Sequence, residues 1–125
     1  MFSTYPELVA AMKNLTQEPL TTSEQAVTLP MAEDEWKTRP NAESWGTITS
    51  VTEAGNLNGD SRKNDRAFAG SIDLFSYKRD GRGWISLIEN TLTEYCGASW
   101  DMNSSGQYER DTGVFHWEWY FEVMN

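Results

Sequence analysis

Alternation of apolar and polar residues is clearest near the C-terminus of the chain. The apolar positions there are Phe115, Trp117, Trp119, Phe121 and Val123, and the positions between them are His116, Glu118, Tyr120 and Glu122. Because successive side chains of a strand point to opposite faces, this pattern predicts a strand over Val114 to Val123 with the aromatic face buried.

Three more segments have the composition or the period of strands. Residues 44–51 and 68–75 alternate, with Ile48 in the first and Ile72 and Leu74 in the second. Residues 99–109 precede Arg110 to Gly113, a four-residue connection in which glycine suits a positive φ. We therefore predict two strands in mid-chain and a C-terminal hairpin.

Helical spacing occurs twice. Leu8, Met12 and Leu15 share one face of a segment that Thr4 can cap, which predicts a helix over Tyr5 to Leu15. Apolar residues return at intervals of three and four from Trp84 to Tyr95, and Gly97 follows, which predicts a second helix over Gly83 to Cys96.

Two stretches lack a strong period. Residues 16–40 are polar and contain Pro19 and Pro30, so we expect a mostly extended segment in which Gln25 to Leu29 adds at most a short edge strand. Residues 53–66 are crowded with Gly, Asn, Asp and Lys, which predicts a long exposed loop.

The order helix-strand-strand-helix-strand-strand predicts an α+β fold. A mainly antiparallel sheet with the helices packed on one face would bury the apolar stripes described above. At 125 residues, with six Trp, five Tyr and five Phe, the chain has the length and apolar material for a single domain over residues 1–125.

Charge and cysteine content narrow the class of protein. With 19 acidic against 10 basic side chains, the net charge of −9 disfavours wrapping around nucleic acid, although an acidic wall suits a channel through which DNA passes without sticking. The lone Cys96 cannot form an intramolecular disulfide, and the N-terminal residues lack a secretion signal. We expect assembly in the cytoplasm and no membrane span.

The short motifs of the chain fit ordinary structural roles better than catalytic ones. Asp111-Thr112-Gly113 matches the aspartic-protease signature, but few residues follow it and all three types favour turns, so we interpret it as a turn. His116 is the sole histidine and has no serine or cysteine at a recognisable spacing, which favours a surface or interface role over a catalytic base. Cys96 is expected to be buried packing material.

Other patterns are weaker. Asn56, Asn58 and Asp60 lack the rest of a calcium loop, and the glycines around Arg82 lack the lysine and the spacing of a phosphate-binding loop. The acidic run Glu33, Asp34 and Glu35 beside Trp36, Lys37 and Arg39 is either a paired-charge contact surface or a solvated segment. From the residues we expect no enzyme activity, no metal and no cofactor.

Three short sequence segments resemble those of a known family. They are residues 71–76 (SIDLFS), residues 83–88 (GWISLI) and residues 108–119 (YERDTGVFHWEW). Together with the element order they resemble the tail terminator, or tail completion, proteins of long-tailed bacteriophages, over most of the chain after about Pro30. The resemblance implies a structural virion protein whose homo-oligomeric ring, typically a hexamer, caps the tail tube, ends its polymerisation and joins the tail to the head connector.

Such a ring needs contact surfaces rather than catalytic residues. Its implied partners are a second copy of the chain, the tail tube protein and the head-tail connector protein, with DNA passing through the channel unbound. The candidate interface residues are Trp36, Arg39, Glu53, Asn58, Asp60, Arg62, Lys63, Arg66, His116, Glu118 and Tyr120. The alternatives are another neck protein, either a connector or a stopper, and a small ligand-binding or hydrolytic domain whose pocket is lined by Trp117 or Trp119.

Overall fold

The computed structural model describes residues 4–17, 26–53 and 67–124. In these ranges two α-helices, Tyr5–Lys13 (α1) and Trp84–Cys96 (α2), accompany four long strands, Ser44–Glu53 (β4), Ala67–Ser76 (β5), Trp100–Glu109 (β6) and Val114–Met124 (β7). Three short strands, Thr16–Gln17 (β1), Val27–Thr28 (β2) and Met31–Glu33 (β3), lie between α1 and β4. A 3₁₀ turn at Gly81–Gly83 precedes α2. The fold is α+β.

The main sheet has five strands in the order β3-β4-β5-β7-β6. All its pairings are antiparallel except that of β3 with β4, which is parallel. Ile48, Ile72 and Trp119 lie side by side across β4, β5 and β7. The apolar positions that the sequence alternation groups together therefore occupy one face of the sheet.

Capping fixes the position of α1. The backbone N–H of Thr4 donates to Glu7 Oε1 at 3.0 Å, and the Glu7 N–H donates to Thr4 Oγ1 at 3.5 Å. This reciprocal pair satisfies backbone donors that the first turn of a helix leaves free. The predicted cap is confirmed, but the helix ends at Lys13 instead of Leu15 because the Asn14 side chain donates to the Ala10 carbonyl at 2.7 Å.

Helix α2 matches its predicted span to one residue. It begins at Trp84, after Gly83 with a φ of 81°, and it ends at Cys96, before Gly97 with a φ of 62°. Both angles favour glycine, since residues with a Cβ rarely adopt positive φ. The buried Trp119 donates its indole N–H to Glu89 Oε2 at 2.9 Å, which ties α2 to β7.

One core forms between the helices and one face of the sheet. Trp119, Ile48, Ile72, Leu74, Ile88, Leu92, Leu8 and Met12 are essentially inaccessible to solvent. They form a single cluster with Trp84, Trp117, Phe121 and Val123. The predicted burial of the aromatic face of the C-terminal strand is confirmed for Trp117, Trp119, Phe121 and Val123, whereas Phe115 is only partly buried.

The predicted element order is incomplete, because it omits the three short strands. β1 and β2 pair with each other as a separate antiparallel ribbon, and β3 adds a parallel edge to β4. Segments of two or three residues are too short to show a period, and of the three only β2 falls where a short strand was expected, within Gln25 to Leu29. Residues 18–25 of the polar stretch 16–40 lie outside the described residues.

No helix among the described residues is long and apolar enough to cross a membrane.

Candidate functional site: the open face of the sheet

The open face, defined here as the sheet face opposite α1 and α2, carries a row of stacked rings. Trp45, Phe75 and His116 are direct neighbours across β4, β5 and β7. The ring centroids are 5.8 Å apart for Trp45 and Phe75 and 4.4 Å apart for Phe75 and His116, with nearly parallel planes. Cross-strand ring pairs of this kind stabilise a sheet and restrict side-chain motion.

Arg39 closes one end of this ring row. Its guanidinium carbon lies 4.4 Å from the centroid of Trp45 and 5.1 Å from that of Tyr77. Trp45 is only 5% exposed although it lies on the open face, whereas Tyr77 is 48% exposed. A cation over an aromatic face is attracted by the ring quadrupole, which holds the Arg39 side chain in place.

His116 lies between two carboxylates at the other end of the row. Its Nε2 is 2.8 Å from Asp73 Oδ1, and its Nδ1 is 3.2 Å from Glu109 Oε2. A neutral imidazole has one N–H, so it can donate to only one of them, whereas the imidazolium donates to both. The arrangement of acceptors therefore favours the protonated ring.

The surroundings raise the pKa of His116 above its ordinary value of 6.5. The main cause is the hydrogen bond to Asp73; the charges of Asp73 and Glu109 and the hydrogen bond to Glu109 act in the same direction. Partial burial opposes them, because it penalises the charged ring. The attraction of the two carboxylates outweighs this penalty.

The two carboxylates are themselves held by hydroxyl groups. Thr47 Oγ1 donates to Asp73 Oδ2 at 3.4 Å, and Thr112 Oγ1 donates to Glu109 Oε1 at 3.1 Å. The network thus runs from β4 through β5 and β7 to β6 and the turn that follows it. Charge and hydrogen bonding together fix the mutual position of four strands.

This geometry leaves His116 without a free ring nitrogen. A general base must accept a proton from its substrate at an unoccupied nitrogen, and here both nitrogens face carboxylates. Asp73 and Glu109 contact opposite sides of the ring, so they do not converge on a point where a cation could sit. Among the described residues no group of His, Cys, Asp and Glu has the arrangement of a metal site.

The Asp-Thr-Gly motif forms a turn, as predicted. Gly113 has a φ of 75°, and its N–H donates to the Glu109 carbonyl at 2.8 Å. Thr112 supplies the hydroxyl that binds Glu109, and Asp111 is exposed. The motif belongs to the β6–β7 hairpin and supports the carboxylate that holds His116.

An acidic strip covers the part of the open face near the start of β6. It consists of Asp101 on β6 and Glu118 and Glu122 on β7, around Tyr120, which is 49% exposed and lies directly opposite Asp101. Glu118 accepts a hydrogen bond from Asn103 Nδ2 at 2.7 Å. Tyr120 thus exposes a ring among carboxylates.

The structure brings four of the predicted interface residues to the open face, namely Arg39, His116, Glu118 and Tyr120. Trp36 is half-buried and donates its indole N–H to the Gly46 carbonyl at 2.9 Å, so part of it anchors the edge of the sheet. Glu53 is the last residue of β4. Asn58, Asp60, Arg62, Lys63 and Arg66, with most of the predicted loop, lie outside the described residues.

Sequence reasoning missed Asp73, Glu109, Trp45 and Phe75 as members of this site. Alternation already placed Asp73 and Phe75 on the face opposite Ile72 and Leu74. What it could not supply is the register that sets them beside His116, because strand pairing depends on contacts between segments far apart in the chain. His116 was singled out, but its partners were not.

The tryptophans of the suggested ligand pocket belong to the core. Trp119 is 0% exposed and Trp117 is 3% exposed, and both pack against the helices. Cys96 is half-buried against the same core, and burial raises the pKa of its thiol to about 11. Since the thiolate is the reactive form, this thiol is a poor nucleophile near neutral pH.

The chain matches no family model, no curated protein and no solved structure.

Proposed function

We propose that the protein is a phage tail terminator: a structural subunit that assembles into a ring, caps the finished tail tube, stops its polymerisation and joins it to the head connector. Two independent lines support this. The first is the resemblance carried by residues 71–76, 83–88 and 108–119. The second is the open face, which offers a rigid contact surface instead of a catalytic arrangement.

The observation that carries the proposal is the combination of fixed and exposed groups on the open face. The ring row and the His116 network lock side chains across β4, β5, β7 and β6. Tyr77, which packs against Trp45 and Arg39, and Tyr120 are each about half exposed on this face. A tyrosine held by such contacts, as Tyr77 is, loses little conformational freedom on binding, which suits a protein interface.

The edge of the sheet offers a second contact. β6 is a terminal strand of ten residues, and its outer backbone groups have no strand partner among the described residues. Register shifts between Met102 and Ser104 and between Ser104 and Gln107 interrupt its pairing with β7. Irregular edges restrict unspecific strand addition, so a neighbour must match this edge closely.

In this proposal the ring is a hexamer that surrounds a channel for DNA, and the protein resides in the tail or neck of the virion after assembly in the host cytoplasm. A net charge of −9 on each chain gives such a ring an overall charge that repels phosphates. No step requires a cofactor, because capping and joining are binding events.

Tube length is the measurement that tests this function. Purified tail tube protein polymerises with and without the protein, and electron microscopy records tube lengths and tube ends. The proposal predicts shorter tubes with a ring density at one end. If lengths and ends are unchanged while the protein binds the head connector alone, it is another neck component; if it binds neither, the proposal is wrong.

A further inference from the structure

Charge is distributed unevenly along the main sheet. The four long strands contain Asp73, Asp101, Glu109, Glu118 and other carboxylates but no lysine or arginine. Of the lysine and arginine side chains that the structure describes, Lys13 lies on α1 and all the others lie in connections at one end of the sheet. The described cations of the sheet are therefore concentrated at one end, whereas carboxylates occur along its whole length.

That end is called the basic end here and is defined by Lys37, Arg39, Lys78, Arg79 and Arg110. Strand pairing explains why these residues gather. β4 begins, β5 ends and β7 begins at the same level, since Ser44 pairs with Ser76 and Ser76 with Phe115. The connection before β4, the segment after β5 and the β6–β7 turn consequently meet there.

Carboxylates at the basic end do not cancel its charge. They are Glu43, Asp80, Glu109 and Asp111. Lys78 Nζ lies 3.9 Å from Glu43 Oε2, and His116 occupies Glu109. When the His116 imidazolium is counted together with Asp73, its other carboxylate partner, six cations face five carboxylates at this end, in a chain whose total charge is −9.

The acidic strip has the opposite sign and lies further along the open face. Asp101 and Glu122 are exposed on neighbouring strands, and Tyr120 projects between them. The basic end exposes a tyrosine of its own, Tyr77, beside the Arg39 guanidinium. Tyr and Arg are among the residue types enriched at the energetic centres of protein interfaces.

We propose that the basic end of one copy docks against the acidic strip of a second copy. The inference rests on the proposed function and specifies which surfaces make its ring. Complementary charge selects this occupant, because one chain carries both halves of the contact. The two patches differ, so the contact is heterologous, and repeated heterologous contacts close into a ring when the rotation permits.

Charge reversal at single exposed positions tests the contact. Glu122→Lys reverses the strip, Lys78→Glu reverses the basic end, and Glu94→Lys makes the same change on α2, on the other side of the sheet. Sedimentation velocity over a range of concentrations gives the midpoint of self-association, and circular dichroism checks that each variant is folded.

The expected result has three parts. Glu122→Lys and Lys78→Glu each shift the midpoint to at least about tenfold higher concentration, because like charges then face each other. The double variant Glu122→Lys/Lys78→Glu recovers to within about threefold of the original protein, since its patches are complementary again. Glu94→Lys has no effect.

The salt dependence of self-association tests the same contact without any substitution, so it applies even if the variants fail to fold. Self-association of the unaltered protein is expected to weaken as salt is raised, since ions screen exposed charges beyond about 8 Å at physiological ionic strength. If the protein assembles but neither salt nor charge reversal shifts the midpoint of self-association, the proposed contact is wrong. The same holds if the acidic strip binds only a basic partner protein. In both cases the proposed ring itself is not contradicted. If the protein never assembles, even with tail tubes, the proposed function fails as well.

Discussion

His116 makes the stability of the protein depend on pH. Its pKa in the folded chain is raised above the ordinary 6.5, chiefly by the hydrogen bond to Asp73. The stabilisation is therefore complete below the unfolded pKa and is lost as the pH rises through the folded pKa. The free energy of unfolding is expected to fall as the pH rises from about 6.5, the unfolded value, through the raised pKa of the folded chain.

Urea denaturation at closely spaced pH values checks this expectation. His116→Gln removes the titrating group, so the difference between the two curves isolates the contribution of His116. Because His116 is the sole histidine, its proton resonances also report its pKa directly, and Asp73→Asn should lower that pKa. Identical curves for the original protein and His116→Gln would contradict the proposed ion network.

Trp119 is expected to be a main support of the core. Trp119→Ala removes a fully buried ring and leaves Glu89 without its indole partner, so it should lower the free energy of unfolding by about 3 to 5 kcal/mol. Tyr120→Ala is the matched control, since the neighbouring ring is half exposed and its loss should cost less than about 1 kcal/mol. Similar losses in chemical denaturation for both variants would show that the faces of β7 are misassigned.

At the level of elements, Gly70 permits the close packing of β5. A Cβ added at this position would meet the Thr49 carbonyl oxygen and would lie 2.7 Å from Phe121 Cζ. The backbone oxygen cannot swing away as a flexible side chain can. Gly70→Ala should therefore lower the free energy of unfolding by about 1 to 3 kcal/mol.

Ser50→Ala serves as the control for this substitution, because Ser50 is the cross-strand partner of Gly70 and is only partly buried. Its effect should stay within about 0.5 kcal/mol. Thermal unfolding of the two variants distinguishes crowding at Gly70 from a general sensitivity of the β4–β5 pair. Equal losses would favour the second explanation.

Elements whose apolar pattern repeats over many residues could be predicted from the sequence, and short elements could not. β7 and α2 repeat their pattern over ten or more residues, so both their type and their buried face follow from the chain. β3 has only three residues, and it forms because its backbone pairs with that of β4. Met31, for example, lies beside Gly46. That pairing is tertiary, and no local period encodes it.

For the whole molecule, local alternation predicts which face each residue occupies but not which residue lies next to it. It placed His116, Glu118 and Tyr120 on the face opposite the core, and the structure has them there. The partners of His116 are Asp73, 43 positions away in the chain, and Glu109, across the hairpin turn. The candidate site is thus predictable as a face, whereas its ion network depends on strand order and register.

The charge separation between the basic end and the acidic strip is likewise a property of the assembled sheet. Lys78 and Arg110 are distant in sequence, and they lie at the same end of the sheet because β5 ends at the level where β6 turns into β7. The composition gives the total charge of −9 but not how positive and negative groups are distributed over the molecule. A heterologous contact needs such polarity, which links the fold to the proposed ring.

If the protein works as a ring, its mass in solution is a multiple of the mass of one chain. Size-exclusion chromatography with light scattering, over a range of concentrations and with tail tube protein added, gives that mass independently of shape. The expected species has about six times the 14.3 kDa of one chain, free in solution or bound at tube ends. A species of 14.3 kDa at every concentration, unaffected by tail tubes, would contradict the proposed ring.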